Sequence, residues 1–242
     1  MKLNFKERGG YNGVERSQPV KRKTIPYFVL TLFVGVFLAG CSASNVEVKK
    51  DQLISSKPSF NLLLPVEFKL MNSIEIPGEN SATRAYIYIK EKDKQVEEML
   101  ILQIATRTNR GAGPMTAPPL RSYTEDRVYE MDKTKKGELE LAYLVQSMVW
   151  NTKASFFEPI IQRGLVIPAH LALQGQIQFL YQTKYAVSVR YSRDINSFSL
   201  KVSGDTEKWN KDSISGNEEQ ALKIFKGTFM KMIDSVKAGS SS

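Results

Sequence analysis

The sequence predicts an α+β fold: a mainly antiparallel β-sheet covered by a C-terminal α-helix at about residues 217–237. Three observations lead there. Apolar residues alternate with polar ones through much of the chain after residue 58, the period of strands with one buried face. Short polar breaks separate consecutive runs of this kind, as hairpins require. Near the C-terminus the apolar spacing changes to threes and fours, the period of an amphipathic helix.

Taken in order, FNLLLPVEFKL opens the domain, and Arg84–Lys90 and Met99–Thr106 form the first hairpin across Lys92-Asp93-Lys94. Gly137 marks a turn before Leu139, Leu141, Tyr143 and Val145, which recur every second residue between Glu138 and Glu140 and beyond. Ile177, Phe179 and Tyr181 lead through Gln182-Thr183-Lys184 into Val187, Val189 and Tyr191, a second hairpin. Phe198, Leu200 and Val202 repeat the period of two and predict one more strand. In the helix, Leu222, Phe225, Phe229, Met232 and Val236 make one apolar stripe. Ser215 with Glu218 matches a capping box, and Glu218 and Glu219 suit the positive end of the helix dipole. Gly227 lies inside that helix, at a cost of up to about 1 kcal/mol against alanine, which implies a backbone packed close to it.

The N-terminal region has a different character. Lys21, Arg22 and Lys23 precede an almost wholly apolar run, Ile25 to Leu38, which ends in Ala39 and Gly40. This is the layout of a secretory signal peptide. As a helix, the 16 residues from Ile25 to Gly40 reach about 24 Å, short of a hydrocarbon core of roughly 30 Å. Leu38-Ala39-Gly40-Cys41 resembles the lipobox of bacterial lipoproteins, and Cys41 is the sole cysteine of the chain. The resemblance implies that the Cys41 thiol carries a diacylglycerol. It also implies cleavage just before Cys41, with Leu38, Ala39 and Gly40 recognised by the signal peptidase, and acylation of the new amino terminus. A single acyl chain holds a membrane only marginally, whereas two or three hold it stably. The polar stretch 1–20 makes an unusual N-terminal extension, and a start near Val20 would leave a leader of ordinary proportions.

These features divide the chain into a lipoprotein signal peptide with its extension (1–40), a lipid anchor and polar tether (41–57), one globular β-rich domain (58–238) and a frayed tail (239–242). Removing the leader changes the charge argument. The net charge is +9, but the first 40 residues hold seven Lys/Arg and two Asp/Glu, leaving 27 and 23, a net of +4. Those charges interleave, without the one-sided basic face or module that nucleic-acid binding needs. With no second cysteine, disulfides contribute nothing, and stability rests on burial. A sheet closed by a C-terminal helix is also similar in layout, though not in any motif, to the PsbP/Mog1-like α/β sandwich, a group that includes accessory proteins without catalysis.

Chemistry-bearing motifs are scarce. The one histidine, His170, has no Cys, Asp or Glu at ligand spacing, and neither a GxSxG elbow nor a phosphate-loop Lys-Ser/Thr occurs. No catalytic residue, metal or cofactor is expected. Glu97-Glu98 reads as solvated charge, and Trp150, Phe156 and Phe157 read as buried aromatics or a partner patch. The 17 residues Arg107–Tyr123 contain three arginines and three prolines, and connections of this length are uncommon unless functional or disordered. Arg107, Arg110 and Arg121 are the candidate contacts for an anionic group or for lipid headgroups.

The sequence therefore reads as a membrane-anchored envelope lipoprotein, not an enzyme. It would act as a non-catalytic binding or assembly-support module with an envelope protein as partner. The alternative is a lipid or small-ligand carrier with an apolar cavity under the sheet. Because Ser42 rather than aspartate follows the lipidated cysteine, the lipoprotein sorting rule of enteric bacteria implies the periplasmic face of the outer membrane in a host with two membranes.

Overall fold

The computed structural model describes residues 45–239 except 110, 112, 118, 151 and 153–156. The signal peptide, Leu38, Ala39, Gly40 and Cys41, as well as Arg110, Phe156 and the tail 240–242, lie outside the described residues. From Ser44 onward the chain forms one compact unit.

Among the described residues, eleven strands build two antiparallel sheets. The larger has seven strands: β4 (Lys69–Pro77), β5 (Ser81–Lys92), β6 (Gln95–Arg107), β7 (Val128–Lys136), β8 (Leu139–Val149), β9 (Leu171–Tyr181) and β10 (Tyr185–Asp194). Their order across the sheet is β4-β5-β6-β10-β9-β8-β7. The smaller contains β1 (Val46–Lys49), β2 (Gln52–Ser56), β3 (Ser59–Leu63) and β11 (Lys237–Ala238), in that order. The helices among the described residues are α1 (Glu158–Gln162) and α2 (Gly216–Ser235). None of them is long and apolar enough to cross a membrane.

This arrangement overturns the α+β expectation of a sheet covered by a C-terminal helix: the fold is mostly antiparallel β and sandwich-like. The difference arises in the segment read as a polar tether. Within 42–57, Val46 and Leu53 are buried and lie on β1 and β2. One buried apolar residue every second position is enough for a strand whose other face is wet. Together with β3, these strands supply a second sheet to the same core, where Phe60 meets Phe179 of β9 edge-on at 5.4 Å. Helix α2 contributes Phe225 and Phe229 to that core, and the rings of Tyr191, Phe225 and Phe229 stack at successive centroid distances of 5.3 and 6.2 Å.

Local details depart from the sequence reading as well. The run Phe198 to Val202 is not a strand. The Asp194 carboxylate accepts from Asn196 N and starts a 3-10 turn, Ile195–Ser197, that takes the chain off β10. Phe198 is buried all the same, beneath the Arg193 guanidinium at 4.0 Å. Ser215 stands at the N-cap of α2 without a side-chain cap bond, and the Glu218 carboxylate accepts instead from Ser203 N at 2.6 Å. A Cβ at Gly227 would meet nothing within 4 Å, so no backbone packs against it. The close approach is at Gly175 on β9, where a Cβ would fall 2.6 Å from Phe229 Cζ and nearer still to Cδ2 and Cε2. Glu98 is buried rather than solvated, accepting from Tyr191 Oη at 2.7 Å and from Lys90 Nζ at 3.2 Å.

The other face of the large sheet is covered too. Strand β9 is buried along nearly its whole length, with Leu173, Ile177 and Phe179 in the main core and Ala172, Gln174, Gln176 and Gln178 on the opposite side. One half of that opposite face carries a second apolar core of Met71, Ile87, Ile89, Met99, Met148 and Ile160. Trp150 and Phe157 belong to this core, so those two aromatics are buried rather than an exposed patch. The other half is polar, and it carries the candidate site.

Candidate functional site

In the connection from β6 to β7, the segment Pro119–Tyr123 lies as a strap along β9 and β8, joined to them by side-chain amides. Met115 N donates to Thr183 O in the β9–β10 turn at 3.1 Å. Further along, Gln178 Nε2 donates to Pro119 O at 3.2 Å. Gln176 makes a two-point pair with the Arg121 backbone, Nε2 to O at 2.6 Å and N to Oε1 at 3.3 Å. Gln146 Nε2 donates to Arg121 O at 3.1 Å, and Tyr123 N donates to Gln146 Oε1 at 3.1 Å. A side-chain amide offers the same donor and acceptor as a peptide group, so this row of glutamines acts as a surrogate strand edge for every second strap residue. Pro119 has no N–H to return, and the buried Gln178 Oε1 has no partner.

Beside this seam lies a recess of about 270 Å³ lined by Arg121, Ser122, Tyr123, Gln174, Gln176 and Arg190. Arg190 stands directly across from Gln176 in the β9–β10 ladder, and Ser188 directly across from Gln178. These four residues are therefore neighbours on one face, each facing pair about 5 Å apart. Gln174 Oε1 already accepts from Gln146 Nε2 at 3.0 Å and from Gln176 Nε2 at 2.9 Å. Three buried polar atoms of this face have no partner: the donor Arg190 Nε, the Ser188 hydroxyl and the acceptor Gln178 Oε1. Among the described residues neither Arg121 nor Arg190 makes a salt bridge. Burial pushes the Arg190 guanidinium below the usual arginine range and the neighbouring Arg121 pushes it the same way, against a smaller opposing effect of Tyr123.

The candidate arginines of the sequence do not converge. Arg107 ends β6, and its Nη1 donates to Gly113 O at 3.4 Å. Ile101, six residues back on the same strand, is the residue facing Arg190. At 3.2–3.4 Å per residue this puts Arg107 about 20 Å along the sheet from the recess. Arg121 is at the recess, and Arg110 lies outside the described residues. The sequence reading missed Arg190 and the amides of Gln146, Gln174, Gln176 and Gln178. For Gln174, Gln176 and Gln178 the signal was the QGQIQ alternation, which reads as a wet strand face.

His170 is better connected than its sequence neighbours imply. Its Nε2 lies 2.6 Å from Asp194 Oδ1 and 2.7 Å from Asn196 Nδ2, and Gln95 Nε2 donates to Asp194 Oδ2 at 3.3 Å. These contacts tie the start of β9 to the end of β10. No hydroxyl or thiol among the described residues is recorded against the His170 ring, and no group of three or more His, Cys, Asp or Glu residues is placed to hold a metal. No protein-family model, curated protein or solved structure matches the chain.

Proposed function

We propose that this chain is a bacterial envelope lipoprotein, anchored through acylated Cys41, that works as a non-catalytic binding or assembly-support module. The observation that carries the reading is Leu38-Ala39-Gly40-Cys41, placed directly after a basic cluster and a short apolar run. The packing favours a module over a carrier. The space between the sheets is filled by Phe60, Phe179, Tyr191, Phe225 and Phe229, each 3% exposed or less, whereas a carrier needs an apolar cavity there. An envelope protein partner and, in a host with two membranes, the periplasmic face of the outer membrane belong to the same proposal. The test is Cys41→Ser in the native host. Metabolic labelling with palmitate should be lost, and the larger precursor should accumulate. A variant that still matures before residue 41 and still takes up label would sink the proposal. Ser42→Asp tests the sorting part alone: it should move the protein from outer to inner membrane on a density gradient.

A further inference from the structure

We infer that the recess between Arg121 and Arg190 is a binding site for a small oxyanion, a phosphate-type group carried either free or on a lipid headgroup. The inference rests on the reading of the domain as a binding module and supplies its ligand class. Two guanidinium groups share one recess without a carboxylate partner among the described residues. Like charges in a partly desolvated place repel, and an anion between them removes that repulsion and restores the lost hydration. The hydrogen-bonding balance points the same way. The Gln174 and Gln176 amide oxygens are taken up by internal donors, while Arg190 Nε is buried and unpaired. Ser122 and Tyr123 line the same recess. Two planar guanidinium forks at one recess match the oxygens of a tetrahedral anion.

The site is also built rather than incidental. Arg190 is fixed in a central strand, hydrogen-bonded on both sides to β6 and β9. Arg121 is held by its own backbone, which is pinned to the Gln176 and Gln146 amides. Its guanidinium is thus attached to a fixed main chain instead of a swinging loop. The recess of about 270 Å³ admits a phosphate-sized head and leaves any attached chain outside.

The experiment uses the mature protein purified in detergent and calorimetric titration at constant ionic strength set with chloride. One arm titrates inorganic phosphate, the other a short-chain phosphatidylglycerol below its micellar concentration. Saturable binding is expected in at least one arm. Arg121→Gln and Arg190→Gln should each weaken it roughly tenfold or more, as loss of a charge-assisted hydrogen bond implies. Arg121 is exposed, so Arg121→Gln leaves the fold intact and keeps the test valid if Arg190→Gln is unstable. Binding in the phosphate arm identifies a free anion as sufficient, and binding in the lipid arm alone identifies a headgroup. No saturable binding in either arm, or binding that Arg121→Gln leaves unchanged, overturns the inference. Lipid labelling of Cys41 is read separately, so the anchor and this site can each fail alone.

Discussion

Gly175→Ala is a one-carbon test of how the two layers meet. The new Cβ would lie 2.6 Å from Phe229 Cζ and closer to two further ring atoms, where carbon atoms normally rest at about 3.5–4.0 Å. The ring would have to retreat by about 1 Å. It has nowhere to go, because Phe229 is fully buried and stacks on Phe225, which stacks on Tyr191. Overpacking of this kind costs about 1–3 kcal/mol. Against it, alanine recovers about 0.5–1 kcal/mol of glycine's unfavourable strand entropy. The net expectation is a loss of about 0–2.5 kcal/mol. Phe229→Leu should reverse the sign, because the smaller side chain leaves room for the methyl and only the entropic gain remains. The measurement is urea unfolding of the unit Ser44–Ser242 for wild type, both single variants and the double variant. The m-values should agree, so that midpoints report stability. The coupling energy should fall within the range of about 0.5–3 kcal/mol seen for contacting residues. Equal effects of Gly175→Ala in the two backgrounds would refute the account, since the glycine would then not be there for the ring.

Two other expectations follow from the same core. Phe225→Ala should cost about 3–5 kcal/mol through lost burial and a residual cavity, a large part of the 5–15 kcal/mol typical of a domain; a urea midpoint that barely moves would mean that the α2 stripe does not carry the core. Tyr129 Oη donates to Trp209 O at 2.6 Å and accepts from Ser147 Oγ at 2.9 Å, and burial pushes its phenol up to about 12, outweighing the Ser147 bond, which acts in the other direction. The unfolded phenol titrates near 10, so between about pH 10 and pH 12 the unfolded chain binds fewer protons than the native one. Stability is therefore full below pH 10 and declines as pH rises through that window. Tyr129→Phe should flatten the decline, as followed by urea midpoints across the pH series; an unchanged slope would assign it to other groups.

What could be read from the sequence depended on whether a local pattern carried its own reason. The two hairpins could be read because alternation on both sides met a polar break. The structure places Asp93 and Lys94, and likewise Gln182 and Thr183, at φ values of 50 to 64°, the left-handed pair that tight hairpin turns require. The second sheet could not, because β1 and β2 are short and polar in composition, and they become strands only by pairing, β1 with β2 and β2 with β3. Alternation at Phe198, Leu200 and Val202 misled in the opposite sense, since apolar side chains can reach a core from an irregular backbone. At the recess, Arg121 was visible because its segment was odd. Arg190 was not, because a single arginine in a strand looks like any outward-facing charge until the strap brings Arg121 to the same recess.

The smaller sheet is completed by residues far apart in the chain: Lys237 and Ala238 pair with Asn61 and Phe60. A loop of about 175 residues must close before that edge exists, which makes its formation a late and slow event. Until the final strand emerges, β3 keeps an unpaired edge and the Phe60 side of the core is only half enclosed. If the chain is exported as proposed, such lateness is an advantage during its threading through a narrow channel. The closed small sheet stays out of reach until nearly all of the chain is available, so its premature formation is opposed by connectivity itself.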